Sequence, residues 1–172
     1  MAIVPARSKN QFCVVFIPSS AGHEWLLRPL AALALRGPFK VVDAGGDVDP
    51  HALARAVHAQ AGHAVPILSR NFIGRSFTCH QLVAILKKAS WQPCPLIVLG
   101  FLAAFQDESV PLYERERIFT ACVNLLRRVA RSSPVLVTVK SSHKEFAESL
   151  SKSAHRTFQI EWPSPPATLP LF

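Results

Sequence analysis

The sequence predicts a three-layer α/β/α domain built around a mainly parallel sheet, and three observations support this fold class. Hydrophobic residues make up 49% of the chain and charged residues only 17%, which allows a large core. Short apolar runs such as FCVVFI, at 12–17, show almost no alternation of polar and apolar residues, which is typical of strands buried on both faces. Helical segments separate these runs, as they do where helical crossovers join parallel strands.

The first half of the chain supplies three strands and two helices. We predict strands at 12–17, 39–44 and 65–71 and helices at 24–36 and 51–62. The predicted strands are rich in β-branched and aromatic residues, which favour extended backbone. Gly37 and Gly62 stand where the two helices are expected to end, and Pro50 stands at a helix start, as is common for glycine and proline.

The second half of the chain continues the alternation. We predict helices at 76–90, 113–131 and 143–152 and strands at 94–101, 134–140 and 156–162. The longest helix has apolar residues at the spacing of one helix face. They are Ile118, Phe119, Cys122, Leu125, Leu126 and Val129. Crossovers in such a sheet are right-handed, and its ligands bind beyond the carboxyl ends of the strands.

The chain divides into a flexible lead at 1–11, one core domain at 12–162 and a proline-rich tail at 163–172. A length of 172 residues is typical of a single domain. No apolar run reaches the ~18–20 residues that a membrane span needs, and the first residues lack the apolar region of a signal peptide. We therefore expect a soluble protein without a membrane partner, cytoplasmic or nucleoid-associated, and nuclear if the source is eukaryotic.

Charge and cysteine content restrict the possible ligands. The net charge of +8 favours polyanionic partners such as nucleic acid, and a solvated surface without a partner explains it equally well. The four cysteines are far apart, and three of them lie in apolar runs, where buried thiols are expected. Neither the cysteines nor the histidines have the spacing of a metal site, so we expect no metal and no cofactor.

The first candidate site is the stretch IPSSAGHEW, at 17–25. It lies between the first predicted strand and the first predicted helix, where the phosphate-binding P-loop G-x-x-x-x-G-K-[ST] would lie. In that register Ile17 replaces the first glycine and Gly22 is kept, whereas His23 and Glu24 replace the lysine and the hydroxyl residue. The loop therefore lacks the side chains that hold phosphate and Mg²⁺ in P-loop proteins.

Five segments, taken in order, resemble the RecA-type recombinases, in particular the archaeal and eukaryotic recombinases and their paralogues. They are VVDAGGDVDPHAL, PILSRNF with TCHQLVAIL, PLIVLGFLAAF, NLLRRVARSSPVLVTVKSS and AHRTFQIEW. In the first segment, Asp43, Gly46, Pro50 and Leu53 match the family's strand, turn and helix. The resemblance covers about residues 12–162 and implies a RecA-like P-loop NTPase fold.

The departures from the family's pattern fall at its nucleotide site. The resemblance puts the Walker B aspartate at Gly100, the carboxylate that activates water at Gly45, and the nucleotide-sensing Asn-Gln pair at Val139-Lys140. In the family these groups hold Mg²⁺, activate the attacking water and sense the nucleotide, so that losing all of them removes the usual route of hydrolysis. We therefore expect no ATP hydrolysis and do not expect an enzyme.

The resulting hypothesis is a catalytically inactive RecA-like accessory protein, a pseudo-ATPase. We expect it to act in DNA recombination or repair by binding a recombinase-like partner, single-stranded DNA, or both. Arg115 and Arg117 flank the loop after the fourth strand, and Lys140 and Lys144 line the loop after the fifth. These four residues are the DNA-binding candidates, because cations follow a nucleic-acid backbone while aromatic residues such as the nearby Tyr113 stack on bases.

Two alternatives from other classes stay open. One is a protein-interaction or scaffolding subunit without nucleic-acid binding, in which the apolar composition and the proline-rich tail mark a partner surface. The other is an enzyme with a rebuilt site at the same edge of the sheet, using His23, Glu24 and Asp43. Asp43, Asp47 and Asp49 could in principle hold a metal with His23 and Glu24, but the more frequent use of an aspartate at 47 or 49 is to cap the helix that begins at Pro50.

Overall fold

The computed structural model describes residues 11–20, 24–89 and 93–161. The predicted tail, the predicted lead up to residue 10, Gly22 and His23 lie outside the described residues. These described residues form six α-helices, a 3₁₀ helix and six strands. They are β1 (Phe12–Ile17), α1 (Glu24–Arg36), β2 (Lys40–Asp43), α2 (Pro50–Ala61), α3 (Val65–Leu68), β3 (Phe72–Arg75), α4 (Cys79–Ala89), β4 (Leu96–Leu99), the 3₁₀ helix (Phe101–Phe105), α5 (Leu112–Val129), β5 (Val135–Lys140), α6 (Ala147–Ser153) and β6 (Arg156–Gln159).

All six strands form one parallel sheet, as the unbroken apolar runs predict. Their order is β3-β2-β4-β5-β1-β6, and every pairing between neighbours is parallel. The central strands β2 and β4 are buried at every position, whereas the edge strands β3 and β6 are mostly or wholly exposed. The sheet is therefore completely covered only at its centre.

Two separate hydrophobic clusters, one on each face of the sheet, produce the three layers. One cluster packs α1, α2 and α3 against the sheet through residues such as Leu30, Leu53 and Ile67. The other packs α4, the 3₁₀ helix, α5 and α6 through residues such as Leu82 and Leu126. A three-layer α/β/α architecture is thus confirmed. Within the described residues, no helix combines the length and the apolarity needed to cross a membrane.

The predicted third strand at 65–71 is wrong, because α3 begins there and β3 starts at Phe72. Pro66 lies in the first turn of α3, where its missing N–H is not needed. Asn71 then connects helix and sheet: its Oδ1 accepts from the backbone N–H of Phe39 at 2.8 Å, and its Nδ2 donates to the carbonyl of Ile67 at 2.9 Å. Asn71 is thus bonded to both α3 and the residue before β2, and pairing with β2 begins at the next residue, Phe72.

The long helix α5 follows its predicted face closely. Of the six residues predicted to face the core, five are buried, and Leu125 is half-buried against the same cluster. The thiols of Cys13, Cys79 and Cys122 are also buried, as their apolar surroundings predict. Burial raises the pKa of Cys122 to about 12, since a thiolate has no solvation in an apolar core.

Candidate functional site

The candidate site is the edge of the sheet where the carboxyl ends of β2, β4 and β5 meet, hereafter the rim. The chain leaves β2 toward the helices on one face and leaves the neighbouring β4 toward the helices on the other. The same reversal occurs between β1 and β5. Crevices at such reversals are where open α/β sheets bind ligands, so the residues at these strand ends are the ones to examine.

Asp43, the last residue of β2, shapes the loop that follows it. Its side chain is almost fully buried and accepts from the backbone N–H of Asp47 at 2.8 Å and that of Val48 at 3.1 Å. Arg75, at the end of β3, contributes an ion pair to the same carboxylate at 3.2 Å and donates to the carbonyl of Val48 at 2.6 Å. The carboxylate is therefore committed to holding the loop, which leaves it little capacity as a catalytic group.

Two glycines on the rim lie in direct contact. A Cβ built on Gly100 would lie 2.5 Å from the Cα of Gly45, and a Cβ built on Gly45 would lie 3.1 Å from the Cα of Gly100. Gly100 also has a φ of 61°, which disfavours residues with a side chain. Its N–H donates to the buried hydroxyl of Thr138 at 3.0 Å, so the backbone is fixed from the β5 side as well.

The side chain of Asp47 fills the space beside these glycines. Its Oδ2 lies 2.6 Å from the Cβ position of Gly45 and 3.1 Å from that of Gly100. Its Oδ1 forms an ion pair with Nζ of Lys140, the last residue of β5, at 3.3 Å. The Asp47 side chain is 5% exposed and that of Lys140 is 26% exposed. This largely buried ion pair joins the loop after β2 to the end of β5.

His143 lies near this pair in the loop after β5. Burial lowers its pKa, the Lys140 ammonium lowers it further, and the Asp47 carboxylate acts in the opposite direction. The imidazole is therefore held neutral near pH 7, and Lys140 supplies the positive charge close to Asp47. The Nδ1 atom of His143 is buried without a hydrogen-bond partner among the described residues.

Mg²⁺, which the resemblance implies, does not fit the described residues at the ends of β2 and β4. The positions matched to the two family carboxylates are glycines in backbone contact, and a Cβ at either position would overlap its neighbours. Among the described residues, no group of three or more His, Cys, Asp or Glu side chains is arranged to hold a metal ion. The space between the strand ends is occupied by a side chain of the protein itself.

The remaining nucleotide-site candidates are spread along β1 and its loop. Ile17 ends β1 with its side chain buried, and its carbonyl accepts from the N–H of Ser141 at 2.8 Å. Glu24 is the first residue of α1, whereas Gly22 and His23 fall outside the described residues. The helix cap expected in the next loop is Asp49, whose carboxylate accepts from the N–H of His51 at 2.9 Å, and not Asp47.

The four DNA-binding candidates lie in different environments. Arg115 is buried and donates to the carbonyls of Phe105 and Val110, with an ion pair to Glu145 at 2.7 Å. Its guanidinium therefore holds the 3₁₀ helix and the loops together and is not directed at solvent.

Arg117 and Lys144 are exposed, whereas Lys140 faces Asp47. Tyr113 is 72% exposed at the start of α5. Arg117 lies 3.6 Å from Glu114, which reduces its attraction for phosphate. The structure does not gather the candidate cations into one patch.

Sequence reasoning missed the part that Asp47, Thr138 and His143 play together. The sequence presents Asp47 as one of several acidic residues after β2, with a helix cap as its expected role, and Thr138 as one residue of an apolar strand. The only signal available was that both positions where the resemblance puts a carboxylate are glycine.

Comparisons of the chain with protein-family models and with curated proteins found no match.

Proposed function

We propose that the chain is a catalytically inactive RecA-like accessory protein that acts in DNA recombination or repair. Its rim serves as a structural element, and its outer surfaces bind a recombinase-like partner, single-stranded DNA, or both. The observation that carries this proposal is the backbone contact between Gly45 and Gly100. Restoring the carboxylates that hydrolysis needs would require the two loops to move apart.

The edge strand β3 favours a protein partner. The N–H groups of Phe72 and Ser76 donate toward β2, so the N–H of Ile73, between them, points to the outer edge of the sheet. No described strand pairs with that edge, and Phe72, Ile73 and Phe77 leave apolar surface exposed beside it. An unpaired apolar edge is a template for an added strand from another chain.

Single-stranded DNA is the second candidate ligand, and the loop after β5 favours it. Lys144 is exposed there, next to the exposed Ser141 and Ser142. The loop before α5 is less suitable, because Asp107 and Glu108 are exposed in it and like charge opposes a phosphate backbone. DNA contact therefore rests on fewer cations than the sequence indicates.

The test of the inactive site is a melting experiment with nucleotide. Any ligand that binds only the native state must raise the melting temperature. We expect no shift for the wild-type protein with millimolar ATP and MgCl₂ and no phosphate release. A clear shift that needs both ATP and Mg²⁺, or measurable hydrolysis, contradicts the proposal.

The test of the partner uses two substitutions of one residue. Ile73→Pro removes the N–H that points to the open edge, and prolines are tolerated at such edge positions; Ile73→Ala keeps the N–H and removes the side chain. We expect a purified archaeal or eukaryotic recombinase to bind the wild type and to bind the proline variant much more weakly. Equal binding by all three proteins would exclude the β3 edge.

The DNA half is tested with a fluorescent single-stranded oligonucleotide over a salt series. Binding through phosphate contacts must weaken as salt rises, and Lys144→Ala is expected to weaken it further. No binding at low salt removes this half of the proposal. If neither the recombinase nor the oligonucleotide binds, the accessory function itself is refuted.

A further inference from the structure

We infer that the protein partner of the β3 edge contributes an extended segment that is apolar at its centre and acidic at its ends. This inference rests on the part of the proposed function that adds a strand of another chain to β3, and it names the chemistry of that strand. Three properties of the edge support it: the direction of its backbone groups, the apolar side chains on both of its faces, and the sign of the charges around it.

The outer edge of β3 offers backbone hydrogen bonds from two residues. The N–H groups of Phe72 and Ser76 donate to carbonyls on the β2 side, and alternate residues of a strand direct their N–H and C=O groups to opposite sides. Ile73 and Arg75 therefore direct both groups away from β2, and no described strand pairs with them there. A second extended backbone satisfies these groups in register, which a nucleic acid does not.

Apolar side chains remain exposed on both faces of this edge. The ring of Phe72 lies on the face covered by α4, because a Cβ built on Gly74 would lie 2.9 Å from that ring and 3.2 Å from Ile85 of α4. Ile73 is the next residue of the strand and so points to the opposite face, on which α2 and α3 pack. Phe72 is 40% exposed, Ile73 36% and Val65 of α3 80%. The centre of an added strand is therefore expected to be apolar at successive positions, as in the chain's own strands.

The charges around this edge have one sign. Residues 51–106 include no Asp or Glu, and they form most of α2 and all of α3, β3 and α4. The same residues include five cations, which are Arg55, Arg70, Arg75, Lys87 and Lys88. The acidic residues after β2 lie at the carboxyl end of the sheet, where Asp43 is paired with Arg75.

Two of these cations, Arg70 and Lys88, lie toward the amino end of β3. Arg70 is exposed two residues before the strand begins. Lys88 is exposed in the last turn of α4, three residues after Ile85, and residues three apart share a helix face. No ion pair between described side chains involves either residue. A partner segment with acidic ends therefore meets positive charge here, whereas a basic segment is repelled.

The experiment compares three seven-residue peptides, capped at both termini, that share a Val-Ile-Val centre. Two Glu, two Gln or two Lys residues flank the centre on each side, so that charge reaches Arg70 and Lys88 whichever way the added strand runs. Binding is followed by ¹⁵N NMR of the wild-type protein, with slower hydrogen exchange of the Ile73 and Arg75 amides as the sign of an added strand. We expect the Glu peptide to bind about three- to tenfold more tightly than the Gln peptide at low salt, and the Lys peptide to bind most weakly. This difference should decrease as NaCl is added.

Substitutions assign the charge effect to the two cations. Arg70→Gln combined with Lys88→Gln is expected to reduce the affinity for the Glu peptide by about three- to tenfold and to leave that for the Gln peptide unchanged. Arg127→Gln, which removes an exposed cation on α5, is the matched control and should change neither affinity. Ile73→Pro should weaken the binding of every peptide, because it removes an outward N–H. If that variant does not fold, the amide exchange of the wild type still locates the peptide.

Several results would overturn the inference. They are equal affinity for the Glu and Lys peptides, binding that does not slow exchange of the Ile73 and Arg75 amides, and no binding of any peptide at millimolar concentration. A single-stranded oligonucleotide that shifts the resonances of Arg70 and Lys88 where no peptide does would assign these cations to nucleic acid and overturn the inference as well.

Failure of this inference and failure of the proposed function give different results. If a recombinase binds the wild type and the combined Arg70→Gln and Lys88→Gln variant equally, the function stands and the acidic partner segment is wrong. If the Glu peptide binds at the β3 edge but neither a recombinase nor DNA binds the protein, the chemistry of the edge stands and the function in recombination is refuted.

Discussion

Replacing Gly100 by alanine is the sharpest test of the closed rim. The new Cβ would lie 2.5 Å from the Cα of Gly45 and 2.7 Å from its N atom, and both neighbours are backbone atoms that cannot rotate away. The φ of 61° adds conformational strain of about 1–2 kcal/mol. Overpacking adds about 1–3 kcal/mol, so we expect a total loss of about 2–5 kcal/mol.

Gly46 provides the matched control. Its φ is 72°, close to that of Gly100, but a Cβ built on it meets nothing within 4 Å. Gly46→Ala should therefore show the conformational strain alone, about 1–2 kcal/mol. Gly45→Ala provides the complementary case, because its Cβ meets Asp47 Oδ2 at 2.6 Å and Gly100 Cα at 3.1 Å without a positive φ.

The assay is urea unfolding followed by far-ultraviolet circular dichroism, with thermal melting as a second measurement. Each kcal/mol corresponds to about 2–4 °C for a chain of this size. The difference between Gly100→Ala and Gly46→Ala isolates the cost of the contact from the cost of the dihedral angle. If the two variants lose equal stability, the glycines are not in close contact, and the main support for an inactive site disappears.

Three further predictions concern buried or half-buried side chains. Arg115→Ala should lower the free energy of unfolding by about 2–3 kcal/mol, because it leaves two carbonyls and Glu145 without their partner. As the control, Arg117→Ala at the exposed surface should change the free energy of unfolding by less than about 0.5 kcal/mol. Equal losses in the two variants would contradict the structural role of Arg115. Because the pKa of the Cys122 thiol is raised to about 12, iodoacetamide at neutral pH should not modify it until the protein unfolds. Detection of alkylated Cys122 in the native protein by mass spectrometry would contradict this prediction. Because the pKa of His143 is lowered in the folded state, its contribution to stability is fully present above about pH 6.5 and is lost as the pH falls through the lowered value. His143→Gln should therefore flatten the dependence of the free energy of unfolding on pH in this range. An unchanged dependence would show that another group titrates there.

The limits of the strands show how far the apolar pattern predicts their position in the sequence. β1, β4 and β5 begin and end within two residues of their predicted limits, because each is a short β-branched run with a clear boundary. β6 ends three residues before its predicted limit, and β3 departs further: the apolar residues at 65–68 form a helix, and the strand follows them. Pattern alone could not separate these, since a four-residue apolar run fits a helix turn as well as a strand.

The sequence by itself determined the layers of this protein. Unalternating apolar runs separated by amphipathic segments can be buried only in a sheet covered on both faces. The sequence also shows His23, Gly45 and Gly100 at the positions where the resemblance to the recombinases would put a lysine and two carboxylates. Tertiary structure alone decided that the side chain of Asp47 lies against Gly45 and Gly100. Asp47 and Lys140 are 93 positions apart in the chain, and only the pairing order of the sheet brings their side chains together. The same order buries Arg115, which the sequence assigns to the surface, because burial depends on which loops pack over a helix and not on the helix's own residues.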